Sequence, residues 1–253
     1  MPIIDLSAAI ENNSSELPEL LRTEITFSDH AAGAKVVESM FGVPTRLLRD
    51  GEGWATESFQ RFMTHNSTHL DAPLHYNSTI AGKPAQAIDE LPLEWFFAPG
   101  VVLDMTHKED GDAVTSAEID EELLRIGHEL KPLDIVLIHT GRDVFYKELD
   151  YIARGPGVTA EATHHLFDAG IRVMGIDCWG WDRPLHLQAQ DALASDATGV
   201  FWAAHQADLP YSQIERLTNL AQLPSKGFQV ACFPLRIVGA SAAPARVVAI
   251  VPD

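Results

Sequence analysis

The chain has 253 residues, of which 46% are hydrophobic, so it is long enough to bury a full core, and we expect one domain spanning residues 1–253. Its net charge of −18 argues against a nucleic-acid partner and against binding to a membrane surface. No apolar run approaches the roughly 20 residues needed to span a bilayer, and the N-terminus shows no pattern of a secretory signal.

The predicted elements alternate between strand and helix through the middle of the chain. In chain order we expect a strand at 101–104, a helix from Thr115 to about Leu130, a strand at 134–139, a helix from Thr159 to Gly170, and a strand at 171–176. The first helix opens with a capping-box pattern, Thr115-Ser116-Ala117-Glu118. This alternation implies right-handed crossovers and an α/β fold with parallel strands. The C-terminal third is β-rich, at 228–233 and 246–251, so we expect a mixed central sheet.

The densest group of metal-binding side chains is formed by His65, His69, Asp71 and His75, which lie within eleven residues. Pro73 prevents one helix from carrying all four, and their odd-numbered spacing places them on one face of a strand. Because four extended residues span about 13 Å, we expect a bend between His65 and His69. The pattern then predicts one metal held by His65, His69 and Asp71. The alternative is an ordinary polar surface loop.

The same segment resembles the signature H-x-G-T-H-x-D-x-P-x-H of the cyclase family of metal-dependent hydrolases, which includes bacterial kynurenine formamidases and isatin hydrolases. Six of the seven fixed positions are present, and the seventh is Ser67, where the family usually has glycine. The similarity extends over nearly the whole chain and is weakest in the first sixty residues. It implies a swivelling β/β/α cyclase-like fold.

The resemblance also implies that Asp71 is shared with a second metal, which a late histidine and a glutamate complete. The matching residues are His205, in a segment that looks apolar and helical, and Glu215. Their spacing is about two residues shorter than the family pattern, and a hydrogen-bonded core histidine is the alternative for His205. We therefore expect one divalent ion, with a second as an open alternative. Nitrogen and oxygen ligands suit both zinc and manganese.

The chemistry that this ligand set favours is hydrolysis of a carbonyl compound. Three protein ligands leave positions open for water and substrate. By resemblance, His75 carries the proton from the attacking water to the leaving nitrogen. The chain lacks Gly-x-Ser-x-Gly, which weighs against a serine hydrolase. A metal-binding or ligand-binding protein without catalysis is the alternative from a different class, and the presence of His75 speaks against it.

The substrate is expected to be a small aromatic amide. A kynurenine formamidase cleaves N-formylkynurenine to kynurenine and formate, whereas an isatin hydrolase opens a fused lactam; a lactone or another cyclic compound is a third alternative. Trp54, Trp179 and Trp181 are candidates for flat apolar pocket walls, although the last two can equally pack against the core or a subunit interface.

The expected partners are a small-molecule substrate and further copies of the chain, as a homodimer or higher homo-oligomer. The two cysteines, Cys178 and Cys232, lie in apolar surroundings and indicate no disulfide framework. A reducing cytoplasm is therefore the expected compartment.

Overall fold

The computed structural model of the protein describes residues 1–13 and 15–252. The strands are β1 (Ile3–Asp5), β2 (Glu24–Ser28), β3 (Thr56–Arg61), β4 (His69–Asp71), β5 (Thr79–Ile80), β6 (Lys83–Pro84), β7 (Phe97–Asp104), β8 (Ala113–Val114), β9 (Ile135–His139), β10 (Gly157–Val158), β11 (Val173–Ile176), β12 (Ser212–Glu215), β13 (Lys226–Ala231), β14 (Ala242–Pro244) and β15 (Val248–Ile250). The α-helices are α1 (His30–Phe41), α2 (Pro73–Tyr76), α3 (Ser116–Ile126), α4 (Ala160–Asp168) and α5 (Leu185–Ser195).

The chain divides into two compact units. The smaller unit is Ile10–Asn66, and the larger unit joins Met1–Ala9 to the residues from Ser67 onward. In the smaller unit, β2 pairs antiparallel with β3, and Asp29 caps α1 by accepting a hydrogen bond from the amide of Ala32. The single domain expected from the sequence stays a prediction.

A mixed sheet forms the frame of the larger unit. Across the described residues it has nine strands in the order β1-β15-β13-β7-β9-β11-β12-β4-β14. Strands β7, β9, β11 and β12 run parallel to their neighbours in this set, whereas the strands on both sides pair antiparallel. The expected α/β class with a mixed central sheet is confirmed.

Both faces of the parallel strands are buried, which explains why these strands are continuously apolar. Alternate side chains point to opposite faces, so Val102 and Leu137 pack in one core cluster, while Leu103 and Ile138 pack in the other. The second cluster also takes the apolar faces of α3 and α4, which lie against this side of the sheet.

The helix caps follow the sequence closely. Thr115 and Glu118 form the predicted capping box at the start of α3, and Thr159 accepts a hydrogen bond from the amide of Ala162 at the start of α4. However, α3 ends at Ile126, about four residues before the predicted end. Gly127 adopts a left-handed conformation (φ 62°) and closes the helix, because glycine meets no steric penalty there.

Two further expectations can be compared with the described residues. Cys178 and Cys232 are both free and buried. Among residues 1–13 and 15–252, no helix is both long enough and apolar enough to cross a membrane.

The sheet brings several polar side chains to one edge. Strand β12 ends at Glu215, and the loops after β9 and β11 leave the sheet at the same end, since the three strands are parallel. Strand β4 runs antiparallel to β12, so its first residue, His69, pairs with Glu215. The carboxyl ends of parallel strands are the usual location of functional groups in open α/β sheets.

Candidate metal centre

Strands β4 and β12 present four polar side chains on one face. Glu215 lies opposite His69, and Gln213 lies opposite Asp71, so all four share that face. The residue between each pair belongs to the hydrophobic core on the other face. His69, Asp71 and Gln213 are fully buried, and Glu215 is 5% exposed. Such a concentration of buried acidic and imidazole groups requires compensation by a positive charge.

The ligand atoms of three of these residues converge. His69 Nε2 lies 3.3 Å from Asp71 Oδ1 and 3.6 Å from Glu215 Oε2. All three offer ligand atoms within 4.8 Å of one another, and all three residues are buried. Nitrogen and oxygen ligands at this separation suit one divalent ion.

The orientation of His69 is determined by its backbone partner. Its Nδ1 lies 2.7 Å from the carbonyl oxygen of Ser67, which can only accept, so Nδ1 carries the proton. The lone pair of Nε2 therefore points toward Asp71 and Glu215. A metal-binding histidine almost always donates its other ring N–H in this way.

The substitution of Ser67 for the usual glycine leaves the backbone unstrained. Ser67 has a negative φ, unlike the residues that adopt the left-handed region, so a side chain is tolerated there. Its hydroxyl donates to the carbonyl of Ala8, and the neighbouring Thr68 hydroxyl donates to the carbonyl of Arg216. The first bond ties the start of β4 to the N-terminal segment, and the second ties it to the end of β12.

His205 joins the centre from the other side. Its Nε2 lies 3.4 Å from Glu215 Oε1 and 3.9 Å from Asp71 Oδ2. Its Nδ1 donates to Asp182 Oδ2 at 2.5 Å, so its Nε2 also faces the carboxylates with the correct tautomer for a metal. Burial disfavours the charged imidazole, but hydrogen bonds to Asp182 and Glu215 outweigh it and raise the pKa of His205 to about 10. The cluster thus attracts positive charge strongly.

The expected helix at 201–205 is wrong. The segment forms consecutive turns, and Trp202 adopts a left-handed backbone (φ 62°) that a regular helix excludes. Asp182 holds these turns, because Oδ1 accepts from the amide of Ala204 and Oδ2 accepts from the amide of His205. The apolar run is not helical because the Asp182 side chain satisfies its backbone amides instead.

Glu215 is held in its ionised form. Burial and the nearby Asp71 carboxylate raise its pKa, but the hydrogen bond to His205 and the charge of His205 hold the pKa below its usual range. The amide of Trp181 also donates to Glu215 Oε1 at 2.9 Å. The carboxylate is thus oriented as well as charged.

His75 lies at the exposed side of the centre. It sits on α2, a single turn that starts at Pro73, where the missing amide hydrogen is not needed. Its Nε2 is 4.0 Å from Asp71 Oδ2, and its side chain is 24% exposed, whereas His69, Asp71, His205 and Glu215 are almost fully buried. This position suits exchange of protons with solvent.

The three tryptophans of this part of the chain have different surroundings. Trp181 is fully buried in the core, and its indole N–H donates to Thr163, which is the core-packing alternative for this ring; its role as a substrate wall stays a prediction. The ring beside the centre belongs instead to Trp202, which stacks on His205 at 4.4 Å and contacts His75 edge-on at 5.0 Å. Trp179 is half-buried beneath the guanidinium of Arg216.

Two predicted site residues belong to the smaller unit. His65 lies in a turn closed by a hydrogen bond from the amide of Asn66 to the carbonyl of Met63, and its Nδ1 lies 3.1 Å from Thr64 Oγ1. Its role as a ligand stays a prediction. Trp54 is 43% exposed and packs edge-on against Phe41 within that unit.

Three residues of the centre were not predicted from the sequence as site residues. Asp182 orients His205 from 23 positions away, Gln213 lies two residues before Glu215 on the same face of β12, and Arg216 follows directly after it. Only Gln213 had a local signal, because strand periodicity places it beside Glu215.

A family comparison identifies the chain. The family model described as "Putative cyclase" matches residues 4–183. The chain belongs to the cyclase family. The match includes the segment that carries His65, His69, Asp71 and His75, and it confirms the family that the motif resembles.

Individual relatives agree with this assignment. A kynurenine formamidase of Salinibacter ruber is 28% identical over 196 residues, which cover 74% of this chain and 76% of that protein. Isatin hydrolase A of Labrenzia aggregata superposes with a TM-score of 0.71 at 22% identity, covering 100% of this chain and 94% of that one. An isatin hydrolase bound to the product analogue thioisatinate gives a TM-score of 0.74 at 19% identity, with 99% and 92% coverage. The expected cyclase-like fold is confirmed.

Proposed function

We propose that this protein is a metal-dependent hydrolase that cleaves an amide or lactam carbonyl of a small aromatic substrate, in the manner of a kynurenine formamidase. The observation that carries the proposal is the buried group of His69, Asp71, His205 and Glu215, in which both imidazoles donate Nδ1–H outward and direct Nε2 inward. The similarity to a kynurenine formamidase and to isatin hydrolases supports the same class of enzyme.

The residues present fit a divalent metal. His69, Asp71 and Glu215 would hold it, His205 would add a further ligand, and the motif adds His65; zinc and manganese both suit these ligands. When bound, such an ion polarises a carbonyl oxygen and lowers the pKa of water from about 15.7 to near 7. The carboxylates that favour a proton on His205 would favour the ion for the same electrostatic reason.

The chain's own residues would supply the proton transfers. His75 is exposed enough to exchange protons and lies beside Asp71, so it can accept a proton from the attacking water. It then delivers that proton to the leaving nitrogen, which yields a carboxylic acid and an amine. Trp202 fixes the edge of the His75 ring and can exclude water from one side.

The cellular compartment and the oligomeric state of the enzyme are further proposals. Buried free thiols at Cys178 and Cys232 are compatible with a reducing cytoplasm. The smaller unit exposes Phe27, Phe41 and Phe59, and exposed aromatic side chains are typical of interfaces. We infer a homodimer or higher homo-oligomer, which light scattering of the purified protein tests.

One assay tests the substrate class. N-formylkynurenine, isatin and a simple aryl lactone are offered to zinc-loaded and manganese-loaded protein in parallel. Hydrolysis of the formamide supports the formamidase assignment, and turnover of isatin alone supports the lactam-opening alternative. Inactivity toward all three, with stoichiometric metal bound, contradicts the proposed substrate.

A further inference from the structure

Arg216 places a buried positive charge beside the metal centre. It follows Glu215 directly and is 5% exposed, so nearly the whole side chain is removed from water. Its guanidinium lies over the ring of Trp179 at 4.8 Å, and its Nε donates to the carbonyl of Trp179 at 3.3 Å. The side chain is therefore held in one position by stacking and by a single hydrogen bond.

The outer fork of this guanidinium has no acidic partner. Within residues 1–13 and 15–252, its two terminal nitrogens make neither an ion pair nor a hydrogen bond. Five more exposed arginines of the larger unit pair with a carboxylate: Arg125, Arg142, Arg154, Arg183 and Arg246. Arg216 is more buried than any of these five and, unlike them, has no carboxylate within ion-pair distance among the described residues, although unpaired buried charge is costly.

The backbone of Arg216 adds a second cost. Its φ is +60°, in the left-handed region that glycine and asparagine adopt most readily. A residue other than glycine persists there when the surrounding structure or its function requires the side chain. Other residues of the chain, among them Ala81 and Leu133, also adopt this conformation, so the positive φ supports a role for the guanidinium only together with its burial and its unpaired charge.

The surroundings indicate which ligand the fork would bind. Trp179 covers one face. The carboxylates of Glu215 and Asp71 and the hydroxyl groups of Tyr151 and Tyr146 lie within electrostatic reach of the charge, but neither carboxylate is within ion-pair distance of it among the described residues. A planar guanidinium with two free parallel donors matches a carboxylate bidentately. Because the chain carries a net charge of −18, an anionic ligand would otherwise be repelled.

We propose that Arg216 and Trp179 form a subsite that binds a carboxylate carried by the substrate, next to the carbonyl that is cleaved. The subsite rests on the proposed function and narrows it to anionic aromatic amides. Of the two leading candidates, N-formylkynurenine carries a carboxylate, whereas isatin is neutral. Arg216 is on this account a specificity-determining residue and is not a metal ligand.

Binding of benzoate tests the subsite without any turnover. Calorimetric titrations compare the parent with Arg216→Met, both zinc-loaded and after removal of metal by a chelator. We expect the affinity for benzoate to fall about 10- to 100-fold in the variant in both states, as expected for hydrogen bonds to a charged group. Arg172→Met is the matched control, because Arg172 also stacks on an aromatic ring, that of Phe167, and lacks a carboxylate partner within ion-pair distance among the described residues. Equal affinity in parent and Arg216→Met overturns the subsite.

A kinetic comparison separates the subsite from the proposed function. Formanilide and 2-formamidobenzoate differ only in a carboxylate, and the ratio of their kcat/KM values measures recognition of that group. We expect the ratio to fall about 10- to 100-fold in Arg216→Met and to recover partly in Arg216→Lys. An unchanged ratio overturns the subsite while the hydrolase stands. If neither formamide is cleaved, the proposed function fails, and the benzoate titration alone decides the subsite.

Arg216→Gly shows whether the arginine is only structural. Glycine relieves the positive φ, so this variant should melt at or above the temperature of the parent and still lose benzoate binding. A lower melting temperature with unchanged benzoate affinity shows a packing role and contradicts the proposal. The glycine variant also replaces Arg216→Met in both assays if the methionine variant does not fold.

Discussion

Asp182 provides the sharpest test of how the centre is assembled. Its carboxylate accepts three hydrogen bonds: from His205 Nδ1 at 2.5 Å, from the amide of His205 at 3.1 Å, and from the amide of Ala204 at 2.9 Å. Replacement by asparagine retains the shape but puts an amide group where two acceptor oxygens stood. The ring then loses the acceptor that keeps the proton on Nδ1, and Nε2 can take the proton instead.

The expected magnitude follows from this single contact. Loss of the carboxylate that orients a metal-binding histidine typically lowers metal affinity about 10- to 100-fold, or about 1.4–2.8 kcal/mol. We therefore expect Asp182→Asn to bind zinc about 10- to 100-fold more weakly than the parent. Competition with a chromogenic chelator measures the two dissociation constants directly.

A control variant separates this effect from general loosening. Asp208 also accepts a hydrogen bond from a backbone amide, that of Ala81 at 2.7 Å, and lies three residues after His205. Asp208→Asn should bind zinc as tightly as the parent. Equal zinc affinity in Asp182→Asn and the parent would falsify the argument that Asp182 sets the tautomer of His205.

Three other predictions test the roles of single residues. His75→Ala should retain metal while kcat falls about 10²- to 10⁴-fold, as for a general acid–base group; metal loss measured by elemental analysis would instead make His75 a ligand. Trp181→Ala should lower the free energy of unfolding by about 3–5 kcal/mol, because the ring is fully buried, and denaturant titration that shows no loss would contradict its core position. Burial raises the pKa of Asp177 from 3.8 to about 6, so its contribution to stability is present below pH 3.8 and is lost as pH rises through about 6. Asp177→Asn should therefore gain stability relative to the parent by up to about 3 kcal/mol from pH 4 to 7, and parallel pH profiles of unfolding would exclude this shift.

The sequence predicts the residues of the centre where the signal is local. His69 and Asp71 are two residues apart on one strand, so their common face follows from strand periodicity alone. Glu215 was found because its segment resembles a family pattern, although nothing in its own neighbourhood marks it as a ligand. The helix starts at Thr115 and Thr159 were equally local and were confirmed.

The missed features depend on contacts between distant parts of the chain. Asp182 and His205 are 23 residues apart, and only the fold brings them together. Trp181 and Trp202 have similar local sequence character, yet one ring enters the core and the other lies beside His205. Which way a loop tryptophan points depends on the packing of α4 and on the turns that Asp182 holds, and neither can be derived from periodicity.

The location of the bound ion tests the central claim most directly. Crystals of the metal-loaded protein, measured at the zinc or manganese absorption edge, show the ion as an anomalous peak. We predict a peak about 2.0–2.2 Å from His69 Nε2 and from carboxylate oxygens of Asp71 and Glu215. A fully loaded protein whose anomalous peaks all lie away from these three residues would contradict the assignment of the metal centre.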